Sequence, residues 1–209
     1  MTHGFSLPQG AFYASQPLVL ASASPRRREF LDLLGLEFDL VRPGGVEPQP
    51  LFDEDATDYA LRAAHAKAFA AARIRPAAVI LGADTVVTLE GEILGKPRDR
   101  LHALNMLLRL SGKSHEVISA CCCCLPDGTI RHTTGKARVH FFPWPQDVLA
   151  AYAATDECLD KAGAYAIQGR GAFLAQRIEG SVSAVVGLPM TQLVALLLEL
   201  GVICAHTAR

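Results

Sequence analysis

The run Leu18-Val19-Leu20-Ala21 gives way, through Ser22-Ala23-Ser24-Pro25, to three consecutive arginines, Arg26, Arg27 and Arg28. Four uninterrupted apolar residues bounded by turn formers read as a short buried strand. Beyond the arginines, Phe30, Leu31, Leu33 and Leu34 recur at helical spacing until Gly35. Ser24 falls at the N-cap and Pro25 at the first helical position, where a missing N–H is no loss. The chain is thereby committed to a strand-to-helix unit whose helix begins with cations. A first turn favours Asp and Glu, and each misplaced cation costs roughly 0.3–1 kcal/mol. A bound anion would relieve the conflict, because free backbone N–H groups, the helix dipole and guanidinium forks all suit phosphate. The plainer reading is that the arginines fan out into solvent.

Downstream, Glu37–Val41 reads as a second strand, followed by a loop rich in Pro and Gly from Arg42 to Pro50. Apolar spacing predicts a helix over Asp55–Arg73, and Ala78-Val79-Ile80-Leu81 reads as a central strand with Gly82-Ala83-Asp84-Thr85 at its carboxyl end. Val86–Leu89 turns at Glu90-Gly91 into Glu92-Ile93-Leu94, a hairpin signal. A helix over Asp99–Leu110 comes next. It precedes two long strands joined at Pro126-Asp127-Gly128, the second ending near Phe142. Helices are predicted over Gln146–Ala154 and Pro189–Leu200, with strand and loop over Gly163–Gly180 between them. The elements alternate without a strict βαβ rhythm, so the fold class is α/β with a mixed sheet. Residues 1–17, with Pro8, Gly10 and Pro17, are expected to form a poorly ordered extension, 18–203 the folded domain, and 204–209 a tail.

The balance of charge and composition narrows the classes of partner. With 20 basic and 21 acidic residues the formal charge is -1, and aromatic residues make up only 7%, so a nucleic-acid surface is disfavoured. No apolar run reaches the ~18 residues that span a bilayer, so no membrane partner is expected. Four of the 6 cysteines are consecutive, Cys121–Cys124, inside a segment that reads as a buried strand. Neighbours on a strand point to opposite faces and cannot converge on one metal, so these thiols read as small apolar filling in a reducing, cytoplasmic setting.

Several polar clusters interrupt this apolar framework. Asp84 follows a buried strand, where a carboxylate is placed to hold a divalent cation, to take a proton from water, or merely to cap a turn. Lys96 sits in the tight turn Gly95-Lys96-Pro97. Asp156, Glu157, Asp160 and Lys161 crowd one short segment, and Gln168 lies before Gly169 with an amide suited to a base edge or ribose. Taken singly, the Lys96, Asp156–Lys161 and Gln168 clusters read more readily as solvated loops. Together they supply cations for a polyphosphate, carboxylates for metal and water, and an amide reader, as phosphoryl chemistry on a nucleotide requires.

The ordered set Leu20-Ala21-Ser22-Ala23-Ser24-Pro25-Arg26-Arg27, Ala66-Lys67-Ala68, Gly82-Ala83-Asp84-Thr85-Val86-Val87, Gly95-Lys96-Pro97, Ser111-Gly112 with His115, Asp160-Lys161-Ala162-Gly163-Ala164-Tyr165, Ile167-Gln168-Gly169 and Val186-Gly187-Leu188-Pro189 resembles the Maf family of nucleoside triphosphate pyrophosphatases. The resemblance runs from Leu18 to about Val202 and implies an elongated, twisted mixed sheet with two lobes and a cleft between them. It implies Asp84 as proton acceptor, and Arg27, Thr85 and Gln168 as the positions that sort substrates, here in the pattern of the subfamily acting on dTTP and UTP. Ser22, Arg26, Lys67, Lys96 and Lys161 would then neutralise the triphosphate. A Mg²⁺ or Mn²⁺ ion is expected on Asp84 with Glu47 or Glu157. The family often carries an Asp-Glu pair where this chain has only Glu47. A homodimer is a further implication. The second functional reading is a nucleotide-binding regulator of cell division using the same cleft; the intact Asp84, Lys96 and Lys161 favour an enzyme.

Overall fold

A computed structural model describes residues 10–42, 44 and 48–206. The strands are β1 (Phe12–Ala14), β2 (Leu18–Ala21), β3 (Asp39–Val41), β4 (Val79–Leu89), β5 (Glu92–Leu94), β6 (Ser114–Cys124), β7 (Ile130–Phe141), β8 (Ala175–Gly180) and β9 (Ile203–Ala205). The helices are α1 (Pro25–Leu34), α2 (Ala56–Ala72), α3 (Arg100–Leu110), α4 (Gln146–Ala153), α5 (Val182–Val186) and α6 (Met190–Glu199). The main sheet runs β3-β2-β4-β6-β7-β8, with β5 also paired to β4. Its first three strands are parallel and the rest antiparallel, so it is the mixed sheet that the sequence predicts.

The cysteine strand behaves as strand geometry dictates. Cys121 and Cys123 enter an apolar cluster with Leu31 of α1 and Leu193 and Leu197 of α6. Cys122 and Cys124 enter another on the opposite face, against the alanines of α2. A third cluster, built from β5, α3, α4 and the far ends of β4, β6 and β7, forms the second packing region. All six thiols are free.

Two expectations need correction. Residues 1–17 do not form a frayed extension throughout, because Phe12–Ala14 pair with Ile203–Ala205 in a small antiparallel sheet. The same pairing places Cys204 and Ala205 in a strand instead of a tail. Strand β4 does not end before Asp84; it runs on to Leu89, paired to β6 from Ile80 to Thr88. What ends near Asp84 is its parallel neighbour β2, whose last partner on β4 is Gly82. Strand β5 takes up that edge only from Val87. Residues 83–86 therefore lack a strand partner on one side, and Asp84 sits in this gap, the crevice beyond the end of a parallel strand.

Helix α2 covers the sheet through Ala60, Ala64, Ala68 and Ala71, whose small side chains bring its backbone close. A Cβ on Gly82 would collide with the carbonyl oxygen of Ala64 and lie 2.6 Å from the Ala68 nitrogen. Both are backbone atoms of one helix, so relief requires moving the helix itself. We expect Gly82→Ala to lower stability by about 1–3 kcal/mol, measured by urea denaturation, with reduced activity because Lys67 rides on that helix.

In the second region His115 is buried against Phe141 and Tyr165, with Nε2 2.7 Å from the Tyr165 hydroxyl. Burial, with a smaller contribution from His140, pushes its pKa down to about 4, against 6.5 in an unfolded chain. Between those values the unfolded state binds the extra proton, so stability falls as the pH drops from about 6.5 to about 4 and the loss then levels off. The full effect is on the order of 3 kcal/mol. In pH-dependent urea denaturation, His115→Gln should remove this slope; a variant that keeps it would refute the assignment.

Candidate active site

A cleft of about 810 Å³ opens over the gap in the sheet, within the size range of small-molecule sites. Among the described residues, six cationic side chains line it, Arg26, Arg27, Arg42, Lys67, Lys96 and Lys161, against two carboxylates, Asp84 and Asp160. A chain of near-zero net charge therefore concentrates positive charge in one concavity, which focuses its field on an anionic ligand. Ser22, Thr85 and Gln168 line the same cleft, so the structure gathers nearly all the residues singled out in the sequence. Glu47 lies outside the described residues. Arg42 lines the cleft without having been singled out, since a lone arginine in a Pro/Gly-rich loop gives no spacing signal.

The three arginines have separate fates. Ser24 stands at the N-cap of α1 with extended backbone but makes no side-chain cap bond, and the first turn holds no acid. Arg28 lies in solvent 3.5 Å from Asp32. Arg26 is partly buried, and its Nε donates to the Val186 carbonyl at 3.3 Å. Arg27 is buried and plugs the gap in the sheet. Its Nε donates to the Gly187 carbonyl (2.9 Å), Nη1 to the Ala83 carbonyl (2.9 Å) and to Ser22 Oγ (3.4 Å), and Nη2 to Thr85 Oγ1 (3.0 Å). The guanidinium thus satisfies a β4 carbonyl that no strand reaches. Gly187 bends its chain to meet it with φ of 142°, where a side chain would be strained.

Counting protons fixes the direction of the next bonds. Ser119 Oγ must donate its single proton to the Ala184 carbonyl at 2.6 Å. It is also 2.7 Å from Thr85 Oγ1, so the Thr85 hydroxyl spends its proton inwards, on Ser119 Oγ or on the Gly187 carbonyl at 3.4 Å. Thr85 accepts from Arg27, and its hydroxyl therefore meets the cleft as an acceptor only. Ser22 shows the opposite polarity. Its oxygen accepts from the Ser24 N–H at 3.1 Å and from Arg27, which leaves a donor proton suited to a phosphate oxygen. Ser119 escaped the sequence reading because a serine inside an apolar strand looks like filler.

Asp84 is nearly enclosed, and its Oδ1 pairs with Lys67 Nζ at 2.5 Å. Lys161 Nζ is held by the Glu157 carbonyl and by Asp160 Oδ1, both at 2.5 Å. Lys96 lies exposed on the neighbouring turn, which is joined to the Lys161 segment by the Gly163 N–H donating to the Gly95 carbonyl at 3.1 Å. Glu157, expected as a metal ligand, is not among the residues lining the cleft, and both its oxygens are engaged in hydrogen bonds. Its Oε1 accepts from the Arg170 N–H at 3.0 Å, and its Oε2 accepts from the Gly171 N–H (3.0 Å) and the Tyr152 hydroxyl (3.1 Å). Burial acts to raise its pKa, and the bonds from Arg170, Tyr152 and Gly171 outweigh that, so the carboxyl is held below its usual range. With both oxygens engaged, Glu157 braces the loop carrying Gln168. No group of three or more His, Cys, Asp or Glu side chains converges as a metal site among the described residues. Among the described residues, Asp84 offers its carboxylate at the floor of the cleft. That suits Mg²⁺, which is commonly bound through one or two carboxylates, substrate phosphates and water.

Arg27→Lys tests the plug directly. A lysine carries one charge centre and cannot serve acceptors on three separate segments at once. Leaving buried acceptors unmet costs about 1–3 kcal/mol, and we expect that loss in thermal or urea denaturation at unchanged net charge.

Comparison with known proteins agrees with this geometry. A family model described as Maf-like protein matches residues 17–200. A dTTP/UTP pyrophosphatase of Oleidesulfovibrio alaskensis (strain ATCC BAA-1058 / DSM 17464 / G20) is 51% identical over 204 residues, covering 96% of this chain and 92% of that protein. Its namesake in Nitratidesulfovibrio vulgaris (strain Hildenborough) is 48% identical, covering 93% and 92%. That of Burkholderia thailandensis (strain E264) is 44% identical, covering 91% and 97%. With the motif residues gathered in one cationic cleft and the match spanning most of its length, the chain belongs to the Maf family.

Proposed function

We propose that this protein hydrolyses pyrimidine nucleoside triphosphates, dTTP and UTP foremost, to the nucleoside monophosphate and pyrophosphate. The observation that carries the reading is the cleft itself, with Asp84 on its floor and six cations around it. The relatives at 44–51% identity, named for that activity, support it.

Arg26, Lys96 and Lys161, all lining the cleft, bind the triphosphate, and Ser22 donates to a phosphate oxygen. Asp84 orients a water at the α-phosphorus through Oδ2, its Oδ1 being fixed by Lys67. As the water oxygen bonds to that phosphorus, Asp84 takes the water's proton and the bond to the bridging oxygen of the β-phosphate breaks. The cations stabilise the charge gathering on the departing pyrophosphate, the electrostatic part of such catalysis. A Mg²⁺ or Mn²⁺ ion held by Asp84 would add charge neutralisation on the phosphate oxygens. Thr85 supports the choice of base. Uracil and thymine rings carry an N3–H donor that cytosine lacks, and an acceptor-only hydroxyl favours the former. Gln168 offers both a donor and an acceptor to the remaining ring edge.

No helix among the described residues is long and apolar enough to cross a membrane, and the free, buried cysteines favour a reducing cytoplasm.

The test is pyrophosphate release across dTTP, UTP, CTP and 7-methyl-GTP. We expect preference for the first two. We also expect Asp84→Asn to lower kcat by at least about 10²-fold, the lower end of what a positioned base contributes, with its circular dichroism unchanged. A folded Asn variant of wild-type activity would refute the role of Asp84; equal turnover of all four nucleotides would refute the base selection.

A further inference from the structure

Gln168 sits exposed at the cleft in a loop that would be loose if left to itself: two glycines, Gly169 and Gly171, follow within three residues. Three backbone amides of that loop are nonetheless fixed from beneath. The Ala166 N–H donates to the Tyr152 hydroxyl at 3.2 Å, and the Arg170 and Gly171 N–H groups donate to the two oxygens of Glu157. The Tyr152 hydroxyl in turn donates to Glu157 Oε2. The carboxylate lies so close under the loop that a Cβ on Gly169, whose φ is 80°, would strike Oε1. From its backbone the same residue reaches the other way, its carbonyl accepting from Lys161 Nζ.

We infer that Glu157 is a positioning residue for nucleotide selection: it sets the Gln168 amide at a fixed place relative to Lys161, and Tyr152 is its partner in doing so. This rests on the reading of the cleft as a pyrimidine nucleotide site with Gln168 at the base. The Glu157 carboxylate is not among the groups that line the cleft. The side chain makes its hydrogen bonds to the Gln168 loop and Tyr152. The lysine is hydrogen-bonded by the backbone carbonyl and meets the carboxylate only through a weaker charge interaction, so the hydrogen-bonded ends are separable by mutation. A carboxylate accepts from all three donors at once. A glutamine of the same size has one acceptor oxygen and turns an N–H₂ group towards the rest.

The experiment measures kcat and KM for UTP and CTP in the wild type, Glu157→Gln, Gln168→Ala and the double variant. Glu157→Gln is expected to reduce the preference for UTP over CTP by about tenfold, the size of one misplaced hydrogen bond, mostly through KM, with kcat for UTP within about twofold. In the Gln168→Ala background the same change should cost no further preference, because the side chain it positions is gone. A loss that simply multiplies in the double variant marks a general structural role and overturns the proposal. If Gln168→Ala loses the preference and Glu157→Gln keeps it, positioning alone is overturned. If Gln168→Ala keeps it, the reading of Gln168 as base reader falls, and the positioning role with it. Tyr152→Phe removes only the hydroxyl that links Ala166 to Glu157. It should shift the preference in the same direction, and it carries the test should Glu157→Gln not fold; an unchanged preference there also overturns the proposal.

Discussion

The site depends on a missing piece of sheet. Strand β2 stops beside Gly82 and β5 does not begin until Val87, so four residues of β4 face an open edge. An open edge in a buried sheet leaves backbone acceptors unmet, a cost no fold carries lightly. Here one guanidinium fills it, and in doing so ties together α1, β4 and the Gly187 turn. The cation that sequence rules place badly, at a helix N-terminus, is thus the group that makes the interruption tolerable.

A second constraint fixes what Asp84 meets. The alanine face of α2 and the absence of a side chain at Gly82 bring helix and strand into backbone contact. Lys67 is carried by that helix, so the separation between its ammonium and the carboxylate is set by packing rather than by the two side chains alone. Electrostatics at the floor of the cleft is a product of close packing several residues away.

Much of this was legible in the sequence, for physical reasons that differ by element. The cysteine strand announced itself because a long apolar run with a turn at Pro126-Asp127-Gly128 has few other solutions, and its alternate residues do divide between two cores. Helix α2 was signalled by its apolar spacing, and in the structure α2 and α3 begin on Asp55 and Asp99, whose side chains accept from the Thr57 and His102 amides. Pairing between distant segments leaves no local mark, so the union of Phe12–Ala14 with Ile203–Ala205 was not foreseen. The extent of β4 was misread because Gly82 and Asp84 look like strand breakers, whereas one is demanded by a helix and the other faces a gap. The surroundings of Glu157 were hidden for a related reason: a carboxylate among carboxylates suggests a metal, and only the fold reveals two amides and a phenol bound to it.

Strands β4, β6 and β7, eleven, eleven and twelve residues long, pass through both packing regions without a break. Jaws hinged on a flexible linker close around whatever enters. Walls rooted in the same continuous strands part only if those strands bend, and β4 and β6 are covered on both faces. The sheet therefore works as a stiff beam, and under the proposed function it holds the cations meant for phosphate and the amide meant for the base at a set span. Selection becomes a matter of measuring each nucleotide against a fixed gauge.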